Sequence, residues 1–312
     1  MDIALDRKRI LIFLALAFGI AWAGALVLYL TGGLANSPFT YLILTVFYMG
    51  APTFANILTR VITREGWENL YLRPKLRHEW PYWIMAWFAP GVLTIIGMVV
   101  FFVLFPQYYD ADLNTLQQML ETQAELTGQP VPEVSPWMII ISQTMMALLL
   151  APLLNAFATF GEEFGWRAYL QPKLFPLGGR KAMLAMGVIW GVWHWPVVAM
   201  GHNYGLEYPG APWGGLLMML WFTLTLGTLL GWLTLRAGSV WPAVIGHGAI
   251  NGIAALGAMF VKGKPNPLLG PLPVGLIGSA GFAVVTLVLF AWRGAFAPPA
   301  GGTAVDSEPA GA

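Results

Sequence analysis

Long apolar runs, separated by short polar ones, dominate the chain. A membrane-spanning helix needs about 20 consecutive, mostly apolar residues. Eight stretches fit: roughly 10–30, 39–63, 81–105, 136–166, 181–200, 214–236, 238–260 and 273–292. They predict an all-α, polytopic membrane protein of about eight transmembrane helices. Pro52 and Pro152 fall inside two stretches, where neighbouring helices can re-satisfy the carbonyls that a proline frees. No internal repeat is visible, so an inverted-repeat transporter gains no support. Residues 113–126 read as a short surface helix between the third and fourth stretches.

Composition agrees. Of 312 residues, 57% are apolar and 10% charged, whereas a soluble domain carries about 25% charged residues. The natural solvent is the lipid bilayer. The 15 Trp suit anchoring at membrane interfaces. A net charge of +1 argues against a nucleic-acid partner. The absence of Cys excludes disulfides, thiolate nucleophiles and Cys-bound metals. Arg7, Lys8 and Arg9 followed by Ala21-Trp22-Ala23 imitate a signal peptide. The apolar run continues unbroken to Leu30, which favours a retained helix.

Basic residues set the expected orientation, because Lys and Arg gather on the cytoplasmic side. If eight helices alternate, all Lys and Arg except Lys262 and Lys264 fall on one side. The 106–135 loop carries Asp110, Asp112, Glu121, Glu125 and Glu133 without any Lys or Arg. That loop is expected to be external and both termini cytoplasmic. Three regions follow: helices 1–3 with the external loop over 1–135, a second transmembrane region over 136–293 that holds the polar groups described next, and a disordered tail over 294–312.

Ionisable residues inside a spanning helix cost roughly 2.5–3.5 kcal/mol on insertion scales, so they face a protein interior or a water cavity. Three groups stand out. In Glu162-Glu163-Phe164-Gly165-Trp166-Arg167, Glu163 and Arg167 are four apart with the acid first, the favourable order for an ion pair. Glu162 then lacks a local partner and shares a face with Asn155 and Thr159. In the second group His194 lies inside the fifth stretch, with Trp190 one turn earlier. In the third, His247 and Asn251 share a face, and Gly246, Gly248 and Gly252 permit close helix approach. Each group alone could be interfacial charge or interhelical glue. Together, a glutamate, two imidazoles and an amide can activate a water and stabilise an oxyanion. The same set could ligate a metal.

These motifs resemble the three-part signature of the CPBP family, the CAAX proteases and bacteriocin-processing enzymes also called Abi proteins, which include the type II CAAX prenyl proteases. The signature runs Glu162-Glu163-x-x-x-Arg167, Trp190-x-x-x-His194 and His247-x-x-x-Asn251. Trp190 stands where Phe is common. The resemblance covers roughly residues 140–260, and the first three helices carry none of it. It implies an intramembrane endopeptidase acting on a hydrophobic or lipid-modified peptide or protein. By position, Glu162 with His194 would bind and deprotonate water, His247 and Asn251 would form the oxyanion hole, Glu163 and Arg167 would brace the site, and Trp190 would support it.

Zinc is the alternative, with Glu162, His194 and His247 as ligands. Metal-binding His usually give their second nitrogen to a carboxylate or carbonyl. The sequence offers no spare buried acid if Arg167 claims Glu163, which favours a metal-free glutamate mechanism with no cofactor. Two other functions are open: a transporter relaying protons through the buried Glu and His, and a non-catalytic scaffold. Depth adds a constraint. At 1.5 Å per residue, His194 lies about 20 Å into its helix, so the fourth helix must continue past Arg167, or the fifth begin late, for Glu162 to reach it.

Overall fold

A computed structural model describes residues 5–128, 130 and 134–297. Its helices follow the apolar stretches in order. They are α1 (Arg7–Leu30), α2 (Thr40–Thr63), α3 (Leu76–Leu104), the surface helix α4 (Asn114–Thr127), α5 (Pro136–Leu149), α6 (Ala156–Gly165), α7 (Gly179–Trp193), α8 (Trp213–Ala237), α9 (Trp241–Ile253) and α10 (Ala280–Ala291). Five elements are long and apolar enough to cross a membrane, and α5 and α10 are shorter apolar helices. The all-α polytopic membrane expectation holds. Among the described residues, one isolated antiparallel bridge, Tyr109 to Val261, is the only strand-like pairing.

The expected stretches are less continuous than the hydropathy suggests. The fourth breaks at Leu150, gives a short helix at Ala151–Leu154, and resumes as α6. It then widens into a π turn over Trp166–Leu170 and runs on to Leu174. This extension past Arg167 is one of the two solutions that the depth constraint allowed. The fifth stretch ends at Trp193, and a second short helix covers Trp195–Ala199. His194 therefore sits at a helix break, not within a continuous helix. Pro196 supplies the reason, since it cannot donate to the carbonyl four residues earlier. The eighth helix starts at Ala280 instead of 273. Residues 268–279 fold into turns, in which Leu276 N donates to Leu268 O at 2.8 Å.

The tail also departs from expectation where it is described. Ala295 and Phe296 are buried, and Arg236 donates to Gly294 O at 3.2 Å. Residues 298–312 and Glu133 lie outside the described residues.

The connecting loops gather at two ends. At one end Arg9 and Lys173 both reach Glu65, and Val240 N donates to Tyr71 O at 2.9 Å. At the other, Asp110 N donates to Phe260 O and Lys262 N to Tyr108 O, each at 2.9 Å. Buried Asp110 also accepts from Thr115 N at 2.8 Å in the first turn of α4. The basic loops thus share one end, and the acidic loop shares the other with the segment that carries Lys262 and Lys264.

Candidate active site

Glycines decide where α6 lies. A Cβ at Gly161 would sit 2.7 Å from Met49 O, and one at Gly165 would sit 2.4 Å from Pro52 O. Only hydrogen fits, so α6 crosses α2 backbone to backbone on both sides of Glu162-Glu163. Asn56 Nδ2 ties the crossing by donating to Phe164 O at 2.9 Å. The expected polar lane on α6 is partly consumed as glue. Asn155 Nδ2 donates to Gly248 O at 3.0 Å, and Thr159 Oγ1 donates to Val244 O at 2.9 Å. Both attach α6 to α9 and leave Glu162 as the lane's free acid.

On α7 the pair Gly187 and Gly191 does the same work against α8. Cβ atoms there would lie 2.7 Å from Leu224 Cα and 2.9 Å from Leu220 Cα. Thr223 Oγ1 closes the contact by donating to Gly187 O at 2.8 Å. Trp190 then projects into the site and becomes its hub. Its Nε1 donates to Glu162 Oε2 at 2.8 Å. The Arg167 guanidinium lies 4.1 Å above its ring, and the rings of His194 and His247 meet it edge-on at 5.6 and 5.4 Å. This tryptophan was expected only to support the site.

On α9, Gly248 and Gly252 approach Pro152 O and the Ala151 side chain, with virtual Cβ distances of 2.7 and 2.3 Å. The close approach expected for those glycines is present. It turns His247 towards Glu163, whose Oε1 accepts from His247 Nδ1 at 2.7 Å and from Arg167 at 3.0 Å. This overturns the expectation that Arg167 alone claims Glu163. The argument that no acid is free to orient a histidine therefore fails for His247. For His194 the partner is a carbonyl: Nδ1 donates to Trp190 O at 2.8 Å.

A carboxylate and a carbonyl can only accept, so Nδ1 carries the proton on both rings. Nε2 of each, and Oε1 of Glu162, make no hydrogen bond among the described residues, and a water molecule can touch them. Glu162, Glu163, Arg167 and His247 are all buried. Both partners of Glu163 fall on Oε1, and its Oε2 is buried without a partner among the described residues, whereas Glu162 is held only through Oε2 by Trp190. Asn251 sits one turn beyond His247, with an exposed side chain that hydrogen-bonds nothing described. It is the one expected site residue that the others do not engage.

The donor chemistry of Glu162, His194 and His247 would suit zinc. As arranged, no three His, Asp or Glu side chains among the described residues converge enough to hold one ion.

Two site contacts come from helices without any motif. The Trp193 carbonyl accepts from Tyr48 Oη at 2.6 Å and from Trp22 Nε1 at 3.1 Å. Nothing in the sequence pairs these residues, since 145 and 171 positions separate them.

Comparison with known proteins places a family on the same region. Residues 136–253 match the model described as type II CAAX prenyl endopeptidase Rce1-like. A curated relative, CAAX prenyl protease 2 of Methanococcus maripaludis, is 36% identical over 107 residues. The match covers 32% of this chain and 37% of that relative's length. All the motif residues lie inside the matched segment, and Trp22 and Tyr48 lie outside it.

Proposed function

We propose, on the premise that residues 136–253 carry a CAAX-type protease domain, that this chain is an intramembrane endopeptidase. Its substrate is a hydrophobic or lipid-modified, membrane-associated peptide or protein, which would bring the scissile bond to a site lined by membrane helices. One observation carries the reading. A buried glutamate keeps one oxygen free, and the tryptophan that binds its other oxygen meets two imidazoles whose Nδ1 atoms are already engaged.

Glu162 Oε1 takes a proton from a water that also donates to Nε2 of His194. The water oxygen bonds to the scissile carbonyl carbon, and the carbonyl π pair moves onto its oxygen. That oxyanion is assigned to Nε2–H of His247 and the Asn251 amide, the kind of donors that a developing negative charge requires. The proton on Glu162 passes to the departing amine as the C–N bond breaks, which regenerates the carboxylate. Glu163 holds the His247 imidazolium in place, and Arg167 balances Glu163. A neutral imidazole protonated at Nδ1 could not donate from Nε2, so the carboxylate under His247 and the carbonyl under His194 support different roles for the two rings.

The basic end is assigned to the cytoplasm, with both termini there and 106–135 outside, on the strength of the Lys and Arg bias. A single Cys introduced at 115 is expected to react only from the external side. Labelling confined to the cytoplasmic side would reverse the topology.

The function is tested with detergent-purified full chain and a prenylated or otherwise hydrophobic peptide. Cleavage is expected from the wild type. Glu162→Gln should abolish it while retaining the wild-type melting profile. Undiminished cleavage by Glu162→Gln would sink the mechanism.

A further inference from the structure

We infer that Tyr48 on α2 and Trp22 on α1 are positioning residues that aim His194 by gripping the peptide bond before it. This rests on the peptidase reading for its catalytic consequence, though not for its geometry.

The inference starts from the break in the helix. In an unbroken helix the Trp193 carbonyl would accept from the amide four residues on. Among the described residues no backbone amide donates to Trp193 O: α7 ends at Trp193, and the next bond across the break runs from Val198 N to His194 O at 3.1 Å. A buried carbonyl left without a donor costs free energy comparable to a lost hydrogen bond. Tyr48 Oη and Trp22 Nε1 fill that vacancy at 2.6 and 3.1 Å. The carbonyl of Trp193 and the N–H of His194 belong to one planar peptide unit. Fixing the first fixes the plane from which the His194 side chain departs.

The Trp193 side chain is anchored to the same two helices. It is fully buried, and its Nε1 donates to Ala17 O at 3.3 Å. Its ring lies 4.4 Å from that of Tyr48 and meets His194 edge-on at 4.8 Å. The far side of the Tyr48–Trp193 pair is backed by Trp166, at 5.6 Å from Trp193, and by Phe13 of α1, at 5.5 Å from Trp166. Helices that carry no catalytic motif thus hold backbone and ring on the N-terminal side of His194. The His194 Nδ1 bond to Trp190 O sets the tautomer. The Tyr48 and Trp22 bonds set where the ring stands.

Tyr48→Phe removes one hydroxyl and keeps the packed ring. Trp22→Phe removes the second donor. The chain has four His, so ring-labelled histidine yields a resolvable NMR spectrum in which His194→Ala identifies the His194 signal. Tyr48→Phe is expected to shift that signal and its titration while leaving the other three in place. It should also lower kcat about tenfold with KM changed less than twofold, within the range that slight misplacement of a catalytic group produces. Trp22→Phe, at the longer bond, should have a smaller effect of the same kind. A purely structural role would lower the melting temperature without moving the His194 signal selectively. An unmoved His194 signal in both variants, or a shifted signal with unchanged kcat, overturns the proposal. No cleavage by the wild type would instead overturn the peptidase reading, and the NMR arm would still decide whether the two residues set the ring.

Discussion

Two carboxylate-centred networks share one helical segment, and they are built differently. The inner one joins Glu163 to Arg167 and His247, all buried, with Glu162 beside it. The outer one joins Glu65 to Arg9, Tyr169 and Lys173 at the loop end, where the side chains of Arg9, Lys173 and Glu65 keep 33, 16 and 15% of their exposure. The outer carboxylate uses both its oxygens for partners, so it is saturated. The inner pair is divided: Glu163 is bound on one oxygen, and Glu162 retains a free one. Saturation makes the outer network a clamp between α1, α2 and the segment after α6. Incompleteness leaves the inner one open to further partners, which the proposed reaction supplies as a water and a substrate carbonyl. The contrast also shows that adjacent residues of one type can differ completely. Glu162 and Glu163 point about 100° apart around the helix, and only one meets α9.

The comparison breaks first on activity. Glu162→Gln should remove more than 10³-fold of turnover in a peptide-cleavage assay, whereas Glu65→Gln should stay within about twofold, a gap of the size that losing a catalytic base produces. Equal losses would show that the outer clamp also shapes the site.

Stability separates the networks next. Glu163→Ala leaves the Arg167 charge buried without its carboxylate, at a cost of about 3–5 kcal/mol. Glu65→Ala breaks partly solvated pairs worth on the order of 1 kcal/mol. Thermal unfolding in detergent should show a large drop for the first and a small one for the second. Matching melting curves would mean that the inner pair contributes no more than a surface bridge.

Asn251 sharpens the inner case alone. As an oxyanion donor its removal in Asn251→Ala should lower kcat roughly 10²–10³-fold without affecting folding. Turnover within threefold of wild type would restrict the oxyanion role to His247.

The smallest effect is the acid sensitivity of the clamp. Burial pushes the Glu65 carboxyl up, but hydrogen bonds from Lys173 and Tyr169 and the charges of Lys173 and Arg60 outweigh it and hold the group below its ordinary value. A depressed folded-state value means that the contribution is complete above the ordinary carboxylate range and is lost as pH falls through the folded value. Proteolysis at the 64–75 loop should therefore accelerate only below that range, and Glu65→Gln should abolish the acid step. An acid step of undiminished size in Glu65→Gln would assign it to another group.

The all-α membrane architecture, the alternation of loops between two ends, the surface helix and the Glu163–Arg167 pair were all legible in the sequence. The reason is that each is local. A spanning helix satisfies its own backbone, so hydropathy over about 20 residues identifies it, and an i, i+4 pair needs only one helix. Hydropathy overran at 273–279, where apolar residues with Gly and Pro fold into turns, and at His194, where Pro196 ends a run that stays apolar. Glu162, Glu163, Arg167 and His247 stand out in the sequence as a candidate cluster because ionisable groups inside spanning helices are costly. Their connections do not. That Glu163 serves His247, that Trp190 donates to Glu162, and that Tyr48 and Trp22 grip the Trp193 carbonyl depend on which helix faces lie together. Glycines set those faces by letting backbones touch at Gly161, Gly165, Gly187 and Gly248. A glycine shows in the sequence that close approach is possible, but only the packed helices decide which backbone arrives there.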